Sequence, residues 1–157
     1  MKRVIALVVG FIGALIANAA SAPDGPFLCL VDRATGFAFD KQSKSWKQAN
    51  FEAGEKYVLK RVKKSSLSET EQKTAGRPDP AWGVWEFGFP YGEAWCSQDV
   101  DEYGALWCKG EIELFNVNLR SHRFVRAYTG LYAQDPSQFP DEHADAPVVE
   151  IGKCTEL

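Results

Sequence analysis

Two histidines, 21 acidic side chains and four cysteines are the groups from which this 157-residue chain could build a reactive site. His122 stands between Arg120 and Arg123 beside Asn118 and Ser121, which reads as a solvated turn. His143 lies in Asp141-Glu142-His143-Ala144-Asp145, which offers oxygen ligands and one imidazole to a divalent cation. Sequence neighbours diverge from a common point, and no second histidine is near, so a solvated acidic loop is expected and no metal. Asp99-Val100-Asp101-Glu102-Tyr103-Gly104 opens like a calcium loop. It fails at the twelfth position, where Gly110 replaces the bidentate glutamate such a loop needs, and it reads as a turn. Glu86 and Glu93, in the most aromatic stretch, are the candidate acid pair if the chain cleaves glycosides; otherwise they are solvent-facing strand acids. G-x-S-x-G, H-E-x-x-H and P-loop motifs are absent, and no cofactor is expected.

Cys29, Cys96, Cys108 and Cys154 include no C-x-x-C pair, which argues against zinc and against a redox dithiol. An even number favours two disulfides if the chain is exported, and counting alone leaves three pairings open. Cys96 and Cys108 stand at nearly equal distance from an acidic turn ending at Gly104, so an antiparallel hairpin there would face them. Cys29 and Cys154 then remain, and a barrel that pairs its first and last strands brings them together. A sandwich need not. In the chain-entropy model the long bridge contributes about 5 kcal/mol and the short one about 3.

Trp82, Trp85, Tyr91 and Trp95 fall within 14 residues around a Pro90-Tyr91-Gly92 turn. Such density normally means core, but four bulky rings around one turn can exceed what a small core buries. They are the candidate binding surface. Lys56, Lys60, Arg61, Lys63 and Lys64 form a basic run that reads as a solvated edge strand. Its functional reading is contact with anionic envelope polymers or an acidic partner.

The elements that must position these groups begin after the N-terminal segment. Met1-Lys2-Arg3, an apolar run from Val4 to Ile16, and small residues at Ala17, Ala19, Ala20 and Ala22 have the order of a secretory signal peptide. Residues 1–19 are assigned to it, with a cut as late as residue 22 open, and 23–157 to one domain. Cleavage after Ala19 removes Lys2 and Arg3 and takes the net charge from −3 to −5. No second long apolar stretch follows, so no membrane span is expected in the mature chain.

Ten short runs, read as about nine strands, then alternate or carry β-formers: 27–31, 36–40, 45–48, 57–62, 82–89, 93–97, 105–109, 111–117, 123–128 and 148–151. In the run 82–89, Trp85, Phe87 and Phe89 share one face. The spacing predicts an all-β fold, a small antiparallel barrel or sandwich of eight to nine strands reinforced by disulfides. Ser65 to Ala75 alone looks helical, with two capping-box matches, Ser66 to Glu69 and Ser68 to Glu71. Leu67 is nearly its only apolar residue, so a polar excursion with at most a helical turn is expected. Residues 133–147 read as a long acidic loop.

The composition is 45% hydrophobic and 25% charged, which excludes a disordered chain, and the acidic balance excludes a general nucleic-acid binder. The order of an early cysteine, Thr35-Gly36-Phe37, a tryptophan hairpin, two central cysteines and a terminal Gly152-Lys153-Cys154 resembles small secreted four-cysteine proteins of Gram-negative bacteria. The resemblance implies an exported location and no particular activity. The expectation is a periplasmic or extracellular non-enzymatic binding module whose partner is a protein or an envelope glycan. An inhibitor of an envelope-targeting enzyme falls in that class. An envelope glycan hydrolase and a structural envelope protein are the alternatives.

Overall fold

The computed structural model describes residues 25–75, 78–132, 140–141 and 144–157. The assigned signal peptide, with Glu142 and His143 of the acidic loop, lies outside them. Nine strands run in chain order: β1 (Phe27–Asp40), β2 (Ser45–Phe51), β3 (Lys56–Val62), β4 (Ala81–Glu86), β5 (Ala94–Cys96), β6 (Ala105–Lys109), β7 (Glu113–Asn118), β8 (Arg123–Tyr128) and β9 (Val148–Glu156). All pairings are antiparallel. β3 to β9 pair in sequence, and β1 closes the ring by pairing β3 on one side and β9 on the other. The result is a closed eight-stranded barrel plus one strand outside it. That strand, β2, continues the sheet along the far half of β1, from Ala34↔Phe51 to Asp40↔Ser45.

β1 serves both the ring and the outer strand β2, and a bulge between Val31 and Arg33 shifts its register against β9 and bends it. Gly152 sits opposite Val31, where a Cβ would stand 2.1 Å from the Leu30 carbonyl oxygen and 2.5 Å from the Phe124 ring. A side chain there would push apart the seam that closes the ring.

The interior follows from period-two alternation. Phe27 and Cys29 (β1), Tyr57 and Leu59 (β3), Trp82 and Val84 (β4), Leu106 (β6), Phe115 and Val117 (β7) and Phe124 (β8) are buried in one cluster. Both disulfides belong to it: Cys29–Cys154 and Cys96–Cys108, each joining residues directly opposite in the ladder. The first ties β1 to β9 and so fastens the ring where it closes. Among the described residues no cysteine is free, and no helix is long and apolar enough to cross a membrane.

Three local expectations change. The basic run is an edge only in part: β1 and β4 flank β3 over Tyr57 to Leu59, as ring closure requires, whereas Lys60 and Arg61 pair β4 alone. Its cations instead lie on aromatic faces and a carboxylate: Lys60 Nζ is 4.3 Å from the Trp85 ring centre, and Arg61 bonds Asp99. The strand expected over 82–89 stops at Glu86, so Phe87 and Phe89 fall in a turn rather than on the face of Trp85. The stretch from Ser65 to Ala75 does bury something. The capped helix α1 (Glu69–Thr74), with Ser68 and Glu71 forming the box, brings Leu67 and Ala75 onto Trp85 and Trp95. Both rings point out of the barrel, edge to face at 5.2 Å. Gly83 between them makes room, since a Cβ would come within 2.8 Å of Trp95 and 2.9 Å of Trp85. β4 is therefore buried on both faces.

Candidate functional site

Ionisable residues with inward parity gather at the end of the barrel where β4 runs out and β5, β7 and β9 begin. Glu113 shares the face of Phe115, Arg126 that of Phe124, Glu150 that of Cys154, Tyr57 that of Leu59, and Glu86 that of Val84. Glu55 and Glu93 join them from the connections before β3 and β5. Arg126 is the hub. Its Nε donates to Glu113 Oε2 at 2.8 Å, and its Nη1 to Glu150 Oε2 at 3.3 Å and Glu55 Oε2 at 3.5 Å. Its guanidinium lies 5.3, 5.6 and 5.0 Å from the ring centres of Tyr57, Phe115 and Tyr128. The Tyr57 hydroxyl lies 2.9 Å from Glu150 Oε2 and bonds Glu55 as well.

Five carboxyls thus gather at one guanidinium, and three of them, Glu93, Glu113 and Glu150, hold their protons more tightly than usual. Burial pushes the Glu113 and Glu150 carboxyls up, while Arg126 pulls each back. Glu93 is pushed up to about 7, first by burial, then by the charge of Glu113 and the neighbouring Glu86. Its Oε2 is buried without a hydrogen-bond partner. Burial, with the bond to Glu55, raises the Tyr57 hydroxyl far out of the physiological range, so it stays a donor. Among the described residues no group of acids, histidines or cysteines is arranged to hold a metal ion.

Glu93 links this mouth to an open groove of about 840 Å³ on the barrel's flank, between α1 and the β5–β6 hairpin. Thr70, Thr74, Trp95 and Lys109 line it with Glu93, and the Gly92 N–H donates to Glu71 of α1 at 3.4 Å. Between Glu86 and Glu93 the chain makes the β4–β5 turn. Phe87, Phe89 and Tyr91 are there 58%, 59% and 74% exposed. Gly88, at φ +94°, permits the reversal.

No family model, no curated protein and no solved structure matches this chain. Its chemistry therefore rests on its own geometry.

The aromatic candidates divide. Trp82 is fully buried inside the barrel, Trp85 and Trp95 are buried beneath α1, and Tyr91 alone is presented to solvent. Trp95 still forms part of the groove wall. Glu86 and Glu93 come together, close enough to share a hydrogen bond when one is protonated. That contact falls short of the roughly 5–5.5 Å of a retaining glycosidase pair and the roughly 6.5–9.5 Å of an inverting one. Asp99 and Asp101 are occupied as turn residues. Asp99 takes the Trp82 Nε1–H at 3.0 Å and the Val100 N–H at 2.8 Å, and Asp101 Oδ1 takes the N–H groups of Tyr103 and Ala105. His122 is an exposed hairpin residue at φ 55°. The Arg126 hub with Glu113, Glu150 and Tyr57 went unanticipated. The signal that could have found it is a charge on the core face at the same end of three successive strands.

Proposed function

We propose that this protein is an exported, non-enzymatic binding module that engages its partner through the β4–β5 aromatic turn and the groove beside it. The observation that carries this reading is the exposure of Phe87, Phe89 and Tyr91 on one five-residue turn. Three large rings held in water on a turn lose solvation free energy that a partner would recover, and such clustered exposure is typical of contact surfaces. The turn is held in place by Glu86, Glu93 and the tether to α1, so its rings are presented by a rigid barrel. Two buried disulfides suit an oxidising compartment, which agrees with export to the periplasm or beyond. The partner is a protein or an envelope glycan. An inhibitor acting through this turn belongs to the same reading.

A glycan hydrolase remains the alternative reading because Glu93 titrates near neutrality at the edge of a groove, as a general acid does. Its contact with Glu86 counts against it on spacing. A structural envelope protein would leave the turn without a specific partner. The test places a photo-crosslinking residue at Tyr91 of the oxidised mature protein and exposes it to periplasmic extract and to soluble peptidoglycan fragments. One dominant adduct, lost in the F87S/F89S variant and absent from a crosslinker at Lys44 on the β1–β2 turn, supports the reading. Adducts equal at both positions overturn it. Fragment cleavage that disappears in E93Q would replace it with the hydrolase.

A further inference from the structure

The outer face of β6 to β9 and β1 is the one part of the barrel wall on which apolar residues are both exposed and contiguous among the described residues. Ladder pairing fixes its layout. One row across the strands reads Trp107, Asn116, Val125, Ile151 and Arg33. The next reads Lys109, Leu114, Ala127, Val149 and Thr35. On the other side of the first lie Asn118, Arg123, Lys153 and Leu30. Trp107 is 64% exposed, Leu114 51%, and Val125, Val149 and Ile151 nearly half. Together they expose an apolar patch on the order of 500 Å², large for one stretch of a monomer's surface. All four charged residues in these rows, Arg33, Lys109, Arg123 and Lys153, are cations, in a chain whose net charge is negative. Acids lie only outside these rows: Asp32 is an exposed bulge residue, and exposed Glu111 and Glu156 stand near Lys109 and Lys153 at the margins.

We propose that this face docks onto an anionic lipid surface. An apolar field bordered by cations, with a tryptophan at its margin, matches the layered chemistry of a bilayer interface: acyl boundary, ring level and anionic headgroups. A second copy of the chain fits less well, because two-fold packing of this face would set cation against cation. The barrel would lie on the bilayer rather than cross it, since β5 has three residues and β6 five, against roughly nine to eleven for a spanning strand. This surface is separate from the β4–β5 turn, so either proposal can fail without the other.

Flotation with lipid vesicles tests it, using the oxidised protein without residues 1–19, whose apolar run would bind a bilayer by itself. Vesicles containing 30% phosphatidylglycerol should carry the protein, and pure phosphatidylcholine vesicles should not. R123E/K153E should lower the partition coefficient at least about tenfold, and so should 0.5 M salt. Quenching of tryptophan fluorescence by brominated phosphatidylglycerol should fall sharply in W107F. Each of these substitutions lies on the exposed face, and unchanged circular dichroism would show the barrel intact. Equal binding to both vesicle types, unaltered binding of R123E/K153E, or a concentration-dependent dimer that buries Trp107 would overturn the proposal. So would binding only to a soluble acidic protein.

Discussion

Replacing Glu93 by glutamine should make the protein more stable above neutral pH and change little below pH 5. The carboxyl is raised from an ordinary 4.5 to about 7 by burial and by Glu113 and Glu86. Between these values the folded state binds a proton that the unfolded state has released, so stability contributed by the neutral acid is lost as pH rises through 7. A shift of 2.5 units at about 1.4 kcal/mol each gives roughly 3 kcal/mol in full, of which about 2.5 falls between pH 5 and pH 8.5. Glutamine keeps the shape, can donate to Glu86 through its amide, and carries no charge to bury. Urea unfolding of the oxidised wild type and E93Q at half-unit steps from pH 4.5 to 8.5 measures the difference. The two curves should nearly meet at the acid end and separate by about 2 kcal/mol or more at the alkaline end, with E93Q above. Parallel curves, or an E93Q protein weaker at pH 8.5, would mean that Glu93 carries no burial penalty. The argument from the crowded mouth would then fail.

Three further outcomes follow from the same structure. R126M should cost about 3–5 kcal/mol at pH 8 because Glu113 and Glu150 lose the guanidinium that compensates them, and less at pH 5, where both can protonate; urea titration at the two pH values checks it. G83A should cost about 1–3 kcal/mol through overpacking of Trp85 and Trp95, read as a lower thermal midpoint together with altered near-ultraviolet dichroism. Non-reducing peptide mapping should return Cys29–Cys154 and Cys96–Cys108 peptides. The C29S/C154S variant should lose about 4–5 kcal/mol and C96S/C108S about 3, as the lengths of the closed loops require.

Much of the architecture is legible in local pattern. Alternation in Glu113-Leu114-Phe115-Asn116-Val117 marks a strand and its inner face at once, and the even spacing of such runs points to a barrel or sandwich. Closure is harder to read, because it depends on β1 meeting β9, 125 residues apart between the linked cysteines; only the symmetry of Cys96 and Cys108 about their turn hints at it. The departures come from what lies over a strand. The lysines marked β3 as an edge, though β1 covers its first half, and alternation set Trp85 on a face that α1 then covers. A residue's exposure then depends on what lies above it, which alternation does not encode. Trp85 and Trp95 are buried for that reason, and Trp107, two strands on, is bare. The mouth was missed because Arg126 and Glu150 look like ordinary strand charges until their parity is counted from Phe124 and Cys154.

The bridge at the closing seam also sets how the molecule bears load. Cys29 stands two residues into β1 and Cys154 two residues before the end of β9, directly opposite each other. Tension applied to the two ends of the chain therefore enters at one sulfur and leaves at the other. Among the described residues, what can peel away is the chain outside the bridge: the pairs Phe27↔Glu156 and Leu28↔Thr155 and the bond from the Leu157 N–H to the Pro26 carbonyl. Everything between the two cysteines stays off the force path. Pulled from either side of the bridge, the oxidised barrel should behave as an inextensible link, whereas the reduced protein should unravel strand by strand from the β1–β9 seam.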